Sequence, residues 1–235
     1  MSDPKSPLQF DNYAEAYREH VAKALPPGLG EVDAFARVKV WHLTRAIESV
    51  FPERRDVAIL DAGCGIGVTD RCLKSVYANV TGFDVSPKSV ELAQEANPEL
   101  HYRSDSSGIL PFADASFDVV FAICVVHHVP PSQWDDFFRQ LHRVMKPGGL
   151  LAIYEHNPWN PATRWVVSRC EFDRDAVLLS SPVCRKLAGR AGFSASRARN
   201  LLFLPLESPA WCRFEARMFS YLPFGAQYEL TARKL

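Results

Sequence analysis

Strand-like and helix-like segments alternate four times between about residues 55 and 157, and this regularity leaves few folds open. Short apolar runs end at glycine or aspartate, and each is followed by a stretch with helical spacing. The predicted strands cover residues 57–61, 80–84, 100–104, 117–126 and 150–155. Such alternation is typical of an α/β chain whose open, mostly parallel sheet carries helices on both faces. We therefore predict a Rossmann-like, doubly wound fold, with its ligand over the carboxyl ends of the strands.

The segments on either side of this core are predicted to complete a single domain, residues 1–235. Residues 8–50 are helical in pattern, with a break at Pro26-Pro27-Gly28. Towards the other end, residues 200–204 are strand-like, and residues 227–234 alternate apolar and polar side chains. Alternation of that kind is typical of a half-buried strand, so we predict an antiparallel C-terminal edge strand on the sheet.

Composition and charge exclude several classes of protein. The 27 Lys and Arg residues balance 27 Asp and Glu residues, so no net field favours nucleic acid or an anionic membrane. The longest apolar run, Val119 to Val126, is far shorter than the ~20 residues that span a bilayer, and no secretory signal is visible. The six scattered cysteines lack zinc-ligand spacing, which predicts reduced thiols and no metal site. We expect a cytoplasmic monomer or homodimer without nucleic-acid or membrane partners.

The glycine-containing run DAGCGIG, residues 61–67, follows the first predicted strand and opens a helix. Glycines there permit a tight turn and a close approach by a ligand, and a helix N-terminus offers N–H groups to an anion. A dinucleotide-binding loop would place its third glycine at position 68, which is Val68. Asp61 would also repel a pyrophosphate. Its carboxylate suits an ammonium group, and the loop N–H groups suit a carboxylate on the same ligand.

Acidic residues also end the next two predicted strands. Asp84 ends the second strand, where an acid can accept both hydroxyl groups of a ribose. Asp105, followed by Ser106, ends the third strand and can bind the exocyclic amine of an adenine. That adenine would lie between Phe83, Val85 and the glycine loop. An amino-acid end, a ribose and an adenine in this order describe S-adenosylmethionine.

Four successive motifs carry a family resemblance. DAGCGIG (61–67), GFDVS (82–86), RSDSSGILPFADASFDVVFA (103–122) and VMKPGGLLAIYE (144–155) resemble the motifs of class I S-adenosylmethionine-dependent methyltransferases. The chain is most similar to the small-molecule branch with the ubiquinone/menaquinone-type, methyltransferase type 11-like enzymes. The resemblance, which spans about residues 55–157, implies that the cofactor is S-adenosylmethionine. The implied cofactor-binding residues are Asp61, Gly63, Cys64 (as a small apolar filler), Gly65, Asp84, Val85, Asp105 and Ser106.

Both ends of the chain extend this resemblance. FDNYAEAYREHV, residues 10–21, resembles the N-terminal helix that covers the cofactor in that branch. It implies that residues 8–50 form a helical lid, with Tyr13 or Tyr17 reaching the amino-acid end of the cofactor. PFGAQYELTARK, residues 223–234, is similar to the last edge strand of the family. Residues 158–235 are then expected to form the acceptor pocket and the C-terminal edge.

The candidate catalytic residues follow the fourth and fifth predicted strands. Methyl transfer from a sulfonium mostly requires positioning, but a hydroxyl or carbon acceptor must also lose a proton. His127 is the candidate base, since an imidazole exchanges protons near neutral pH. His128 is the second candidate, and either histidine could instead bond loop carbonyls. Glu155 could face the acceptor or orient the segment that follows it.

The acceptor class follows from a departure from the family pattern. CVVHHVPP, residues 124–131, replaces the (Asp/Asn/Ser)-Pro-Pro-aromatic motif with which base and amide N-methyltransferases hold a planar amine. We therefore expect O- or C-methylation of a small molecule. An NAD(P)-dependent oxidoreductase on a similar sheet is one alternative, which Val68 and Asp61 oppose. A catalytically silent cofactor-binding scaffold is the other.

Overall fold

The computed structural model describes residues 10, 11, 14, 17–25, 32–204 and 206–235, with Tyr17, Arg18 and Val32 described by their backbone alone. The strands are β1 (Ile59–Ala62), β2 (Val80–Asp84), β3 (His101–Ser104), β4 (Phe117–Ile123), β5 (Met145–His156), β6 (Phe193–Leu201) and β7 (Gln227–Lys234). The α-helices are α1 (Tyr17–Ala24), α2 (Val32–Val50), α3 (Val68–Leu73), α4 (Pro87–Ala96), α5 (Trp134–Val144), α6 (Pro161–Arg169), α7 (Ser181–Arg190) and α8 (Pro209–Met218). Short 3-10 helices cover Val126–His128, Pro131–Gln133 and Glu171–Asp173.

The seven strands form one sheet in the order β3-β2-β1-β4-β5-β7-β6. The pairs from β3 to β5 are parallel, whereas β7 pairs antiparallel with both β5 and β6. The chain reverses its direction of strand addition between β1 and β4, which is the topological switch point of a doubly wound sheet. The predicted fold class is confirmed. The carboxyl ends of β1, β2, β4 and β5 therefore meet at one edge.

Alternating side chains of the central strands supply two apolar layers, one on each face of the sheet. In β4, Val119 and Phe121 pack in one layer with Leu43 and Ile47 of α2. Val120 and Ala122 pack in the other layer, which includes apolar residues of α5 and α7. All of β4 from Phe117 to Ala122 is buried. Burial on both faces explains why the sequence of β4 is apolar from Val119 onward instead of alternating.

The C-terminal strands differ from the prediction in two respects. β7, which the sequence predicted as the edge, lies between β5 and β6, and β6 is the edge. The strand predicted at 200–204 overlaps β6 only at its end, because Leu202 has a φ of 60° and leaves the extended conformation. β6 has the sequence FSASRARNL, in which arginines and small residues hide the apolar signal. Polar residues of this kind suit an edge strand, where one side faces solvent.

The predicted N-terminal helical region is present where the structure describes it. α1 lies near the 3-10 turn Glu171–Asp173, and His20 Nδ1 is 3.6 Å from Glu171 Oε2. α2 carries Asp33, whose carboxylate accepts a hydrogen bond of 2.7 Å from Arg71 of α3. These contacts place α1 against the segment between β5 and β6, and the start of α2 against α3. Among the described helices, none is both long and apolar enough to cross a bilayer.

Candidate active site

A cavity of about 1190 Å³ opens at the carboxyl edge of the sheet. This volume exceeds the ~300–1,000 Å³ of a typical ligand pocket, so it has room for two ligands. The predicted site residues that line it are Asp61, Gly63, Cys64, Gly65, Asp84, Val85, Ser106, His127 and His128. Asp105 and Glu155 are described but are not lining residues, and the side chain of Tyr17, like all of Tyr13, lies outside the described part of the chain.

The glycine loop turns sharply between β1 and α3. Gly63 has a φ of 105°, and a Cβ atom there would lie 2.3 Å from Cγ2 of Val125. The N–H groups of Gly63 and Cys64 donate to the carbonyl of Phe83, at 2.7 and 2.9 Å. The N–H group of Gly65 donates to Asp84 Oδ2 at 2.8 Å. These three N–H groups thus donate within the protein. The carboxylate of a ligand would therefore have to bind a different hydrogen-bond donor or a cation.

Asp61 brings an uncompensated carboxylate to the cavity. Its side chain is buried, and Oδ1 has no hydrogen-bond partner among the described residues. Burial and the charge of Asp70, in the first turn of α3, hold the pKa of Asp61 well above its ordinary value. Burial likewise raises the pKa of Asp70 to about 6. Two buried acids next to each other favour a positively charged ligand and disfavour a phosphate.

Lys39 supplies a positive charge that the sequence analysis missed. This residue of α2 is buried and lines the same cavity. Its charge acts on Asp61, where it opposes the increase in pKa, and on Cys124. A signal was available in the sequence, because Lys39 lies four residues after Phe35 and four before Leu43, within the apolar stripe of its helix. A cation buried at such a position indicates a role in binding.

Asp84 ends β2 with both carboxylate oxygens held in place. Oδ2 accepts from Gly65 N–H, and Oδ1 accepts from the N–H of Ser86 at 3.0 Å. Each oxygen keeps a second lone pair, and the residue lines the cavity. Asp105 differs, because Oδ1 accepts from the N–H of Ser107 at 2.8 Å and closes a local turn. Ser106, on that turn, does line the cavity.

Glu155 and His127 form a buried pair where β4 and β5 end. Nδ1–H of His127 donates to Glu155 Oε2 at 2.5 Å. The other carboxylate oxygen, Oε1, accepts from the N–H groups of Val125 and Val126 at 3.1 and 2.7 Å. Glu155 therefore fixes the orientation of His127 and the start of the 3-10 turn, and it does not face the cavity. Of its two predicted roles, the contacts support orientation.

His127 and His128 meet an acid that the sequence analysis missed. Nε2 of His127 and Nε2 of His128 are 3.0 Å apart. Oδ1 of Asp173 lies 3.5 Å from the first and 3.3 Å from the second. No sequence motif identifies Asp173, which lies 45 residues after His128 in the segment between β5 and β6. Only the tertiary fold brings it close to the histidines. That segment is anchored there because Val177 N–H donates to the carbonyl of His127 at 2.8 Å.

The electrostatics of this cluster follow from its burial and its two carboxylates. Burial lowers the pKa of His127, but the charges of Glu155 and Asp173 outweigh it and hold that pKa well above 6.5. For His128 burial dominates, aided by repulsion from His127, and its pKa falls to about 4. Burial alone would raise the pKa of Asp173, yet its contacts with the histidines hold it far below the ordinary value. The pKa of His127 is therefore shifted upwards and that of His128 downwards, although the two rings are in contact.

Three further polar side chains, those of His156, Cys124 and Gln227, lie close to one another beside His127. The rings of His127 and His156 have centroids 5.0 Å apart. Nε2 of Gln227, on β7, donates to Sγ of Cys124 at 3.3 Å and lies 3.4 Å from Nδ1 of His156. Cys124 has a φ of 57°, a left-handed conformation between the end of β4 and the 3-10 turn Val126–His128. Tyr154, by contrast, is in the core and donates to Glu229 at 2.6 Å.

A family model and curated relatives match the central part of this chain. The model, described as a methyltransferase domain, matches residues 60–153. A 2-methyl-6-phytyl-1,4-hydroquinone methyltransferase of Synechocystis is 40% identical over 103 residues, covering 42% of this chain and 32% of that protein. A phthiotriol/phenolphthiotriol dimycocerosates methyltransferase of Mycobacterium leprae is 29% identical over 216 residues, covering 90% of this chain and 76% of that protein. The chain thus spans about a third of the length of the Synechocystis relative.

Solved structures share the whole fold. A Thermotoga maritima structure, described as an S-adenosylmethionine-dependent methyltransferase and possible histamine N-methyltransferase, superposes with a TM-score of 0.69 at 18% identity. The match covers 96% of this chain and 98% of that chain. At this identity the likeness concerns the fold alone. Residues 60–153 are thus similar in sequence to a methyltransferase domain, and the chain shares its fold with a structure described as an S-adenosylmethionine-dependent methyltransferase.

Proposed function

We propose that this chain transfers a methyl group from S-adenosylmethionine to an oxygen or carbon atom of a small-molecule acceptor. The observation that carries the proposal is one continuous cavity with two chemically different halves. The donor half contains Asp61 and Asp84, and the acceptor half contains His127, His128 and Asp173. Bound S-adenosylmethionine supplies an activated methyl group on a sulfonium. The remaining task of the protein is to hold two reactants in line, which can lower the barrier by ~7–11 kcal/mol.

The donor half fits the amino-acid end of S-adenosylmethionine. The unpartnered Oδ1 of Asp61 would accept from an ammonium group, which would also offset the charge of Asp70. The buried cation of Lys39 would pair with the carboxylate of the same ligand. A dinucleotide would instead place its pyrophosphate against Asp61 and Asp84. The charges of the site therefore favour the methyl donor over NAD(P).

The nucleoside would follow towards β3. The free lone pairs of Asp84 suit the two ribose hydroxyls, and its bonds to Gly65 and Ser86 keep the carboxylate in place. Val85 and Ser106 line the adjoining wall, where an adenine would lie. Asp105 would contribute through the turn that it closes, or with its second carboxylate oxygen. Tyr17 would act from α1, as the resemblance implies.

In the acceptor half, His127 is the group assigned to remove a proton. In the neutral imidazole, Nδ1–H is committed to Glu155, so the proton from the acceptor would arrive at Nε2. Glu155 and Asp173 would then stabilise the imidazolium that forms, as a carboxylate does in a catalytic triad. Glu155 is a positioning residue here, because it touches the reacting atoms only through His127. His128 contacts the same nitrogen and assists in holding it.

The acceptor is proposed to be a largely apolar molecule that carries a hydroxyl group or an acidic carbon. Apolar side chains from three separate segments line the cavity, among them Leu25, Phe35, Trp165, Phe172 and Leu204. The two relatives above, named for a hydroquinone and for phthiotriol, are consistent with such an acceptor. Because the lining comes from both flanks of the core, residues 1–235 are proposed to work as one domain, with 8–50 as its lid.

We infer a cytoplasmic monomer or homodimer that binds no nucleic acid. The described cysteines are all free thiols, which suits a reducing compartment. The formal net charge of +0 gives no general attraction to nucleic acid.

The direct test is incubation of the purified chain with methyl-labelled S-adenosylmethionine and a metabolite extract. We expect one extract component to gain label while an equal amount of S-adenosylhomocysteine forms. The matched control is Asp84→Ala, which should abolish both. Binding of S-adenosylhomocysteine without labelling of any component across extracts would favour the silent scaffold. Quenched fluorescence and tight binding of NADH, with no binding of S-adenosylhomocysteine, would favour the oxidoreductase.

A further inference from the structure

Three ligand-type atoms of the acceptor half meet at one point. Nε2 of His127, Nε2 of His128 and Oδ1 of Asp173 are separated by 3.0, 3.3 and 3.5 Å. In a tetrahedral zinc site with bonds of ~2.0–2.1 Å, neighbouring ligand atoms lie ~3.3–3.4 Å apart. The triangle formed by these atoms thus has the dimensions of one face of a coordination polyhedron. Among the described residues, these three side chains offer ligand atoms close enough together to bind one metal ion.

The surroundings of the triangle hold its members in place. Glu155 accepts from Nδ1–H of His127, which directs the lone pair of Nε2 into the triangle. Such a carboxylate behind a histidine is the usual support of a metal-binding imidazole. The ring of His128 packs edge-on against Phe172 at 4.7 Å and against Phe10 at 5.5 Å. Little rearrangement would be needed to bind an ion.

The charge balance of this region also calls for a cation. The side chains of His127, Glu155, His128 and Asp173 are 0%, 1%, 10% and 12% exposed, so two carboxylates lie in a poorly solvated region. Their described ion pairs are with these histidines, not with Lys or Arg. With neutral imidazoles, a divalent cation would neutralise both carboxylates.

We propose that His127, His128 and Asp173 bind a divalent transition-metal ion at the wall of the acceptor half. Two imidazole nitrogens and one carboxylate oxygen favour Zn²⁺ or Co²⁺ over Mg²⁺, which prefers oxygen ligands. All three residues line the cavity, so a coordination position is open to solvent or to an oxygen of the acceptor. The ion would occupy the nitrogen assigned above to proton removal. In the loaded protein, a hydroxyl bound to the ion would lose its proton more readily.

The test is calorimetric titration of the untagged, chelator-treated chain with Zn²⁺, and absorption spectroscopy with Co²⁺. We expect one ion per chain and a Co²⁺ spectrum of low coordination number. Asp173→Asn removes the charged ligand with little change in shape, and His128→Phe keeps an aromatic ring between Phe10 and Phe172. Each variant should bind Zn²⁺ at least tenfold more weakly. Asp175→Asn makes the same change of charge at an exposed neighbour and should bind as the wild type does.

Well below one equivalent of Zn²⁺, or wild-type affinity in both ligand variants, would overturn the metal site. Each variant is first shown to be folded by its far-ultraviolet circular dichroism and thermal unfolding. The site does not rest on the proposed function, since Zn²⁺ binding requires neither methyl donor nor acceptor. A chain that binds Zn²⁺ but not S-adenosylhomocysteine would therefore refute the proposed function and leave the metal site standing.

Discussion

The two halves of the cavity treat buried charge in opposite ways. In the donor half, Asp61 and Asp70 are buried side by side, and oxygens of both lack hydrogen-bond partners among the described residues. In the acceptor half, both oxygens of Glu155 accept hydrogen bonds, and Asp173 lies against two histidines. The donor half thus contains buried carboxylate oxygens without hydrogen-bond partners, whereas the buried carboxylates of the acceptor half have histidine and backbone partners.

Because of this difference, we expect the two halves to affect the free energy of unfolding differently. Buried carboxylates with raised pKa values cost stability at neutral pH, and a cationic ligand relieves that cost. A buried pair whose partners satisfy each other is destabilising only when one partner is removed. Substitution of a donor-half residue that contacts the ligand should therefore act mainly on ligand binding, whereas removal of an unpartnered buried acid should raise stability. Substitutions in the acceptor half should act on folding and turnover.

The largest effect is expected for Glu155→Gln, which leaves His127 without its buried carboxylate. Loss of one partner of a buried pair costs ~3–5 kcal/mol, so the free energy of unfolding should fall by about 3 kcal/mol. Denaturant titration measures this change. Affinity for S-adenosylhomocysteine should stay within about twofold of the wild type, because Glu155 lies outside the donor half. Equal stability of variant and wild type would show that the acceptor half is not held together by this pair.

Next in size is His127→Asn, whose amide N–H can replace Nδ1–H as donor to Glu155 while Nε2 is deleted. General base catalysis is worth ~10²–10⁴-fold, so kcat should fall at least about 100-fold. Calorimetry should find S-adenosylhomocysteine affinity within about twofold of the wild type. An equal loss of turnover and of cofactor affinity would contradict the role of His127 as the base. It would also show that the two halves do not act independently.

Asp84→Ala tests the donor half in the same manner. Two charge-assisted hydrogen bonds to a ribose would be lost, at roughly 1.5 kcal/mol each, so affinity should fall about 100-fold. The thermal shift produced by S-adenosylhomocysteine should disappear. The metal titration described above should be unchanged, because Asp84 is not a ligand. A persistent thermal shift would contradict the ribose assignment.

Asp70→Asn should give the smallest effect, and in the direction of higher stability. Burial raises the pKa of Asp70 to about 6, above the ordinary value of 3.8, so the folded chain binds the extra proton between these pH values. Stability of the ligand-free wild type should therefore decrease as pH rises from about 4 to about 6. The variant should lack this decrease and be more stable at pH 7, by on the order of 2 kcal/mol. Unfolding curves at pH 5 and pH 7 compare the variant with the wild type. A variant less stable than the wild type at pH 7 would show that the buried Asp70 carboxylate does not destabilise the chain.

The donor half was largely predictable, because its residues stand at the ends of strands that the sequence makes plain. Asp61 and Asp84 follow short apolar runs, and parallel strands bring their carboxyl ends together. Lys39 was missed because a lysine in an apolar helical stripe usually extends to solvent. The acceptor half was only partly predictable. The histidines after β4 were identified, but Asp173 comes from a segment without motif or periodicity.

The alternation of apolar runs, glycines and acids determined by itself that residues 59–123 form a parallel sheet with a ligand loop at its carboxyl edge. That information is local, since acids and glycines follow the apolar runs directly in the sequence. Only the tertiary structure decided that Asp173 meets the two histidines, that Glu155 faces His127 instead of the cavity, and that β7 lies inside the sheet. These outcomes depend on the packing of segments far apart in the chain. Burial and pairing of that kind leave no periodic trace in the sequence.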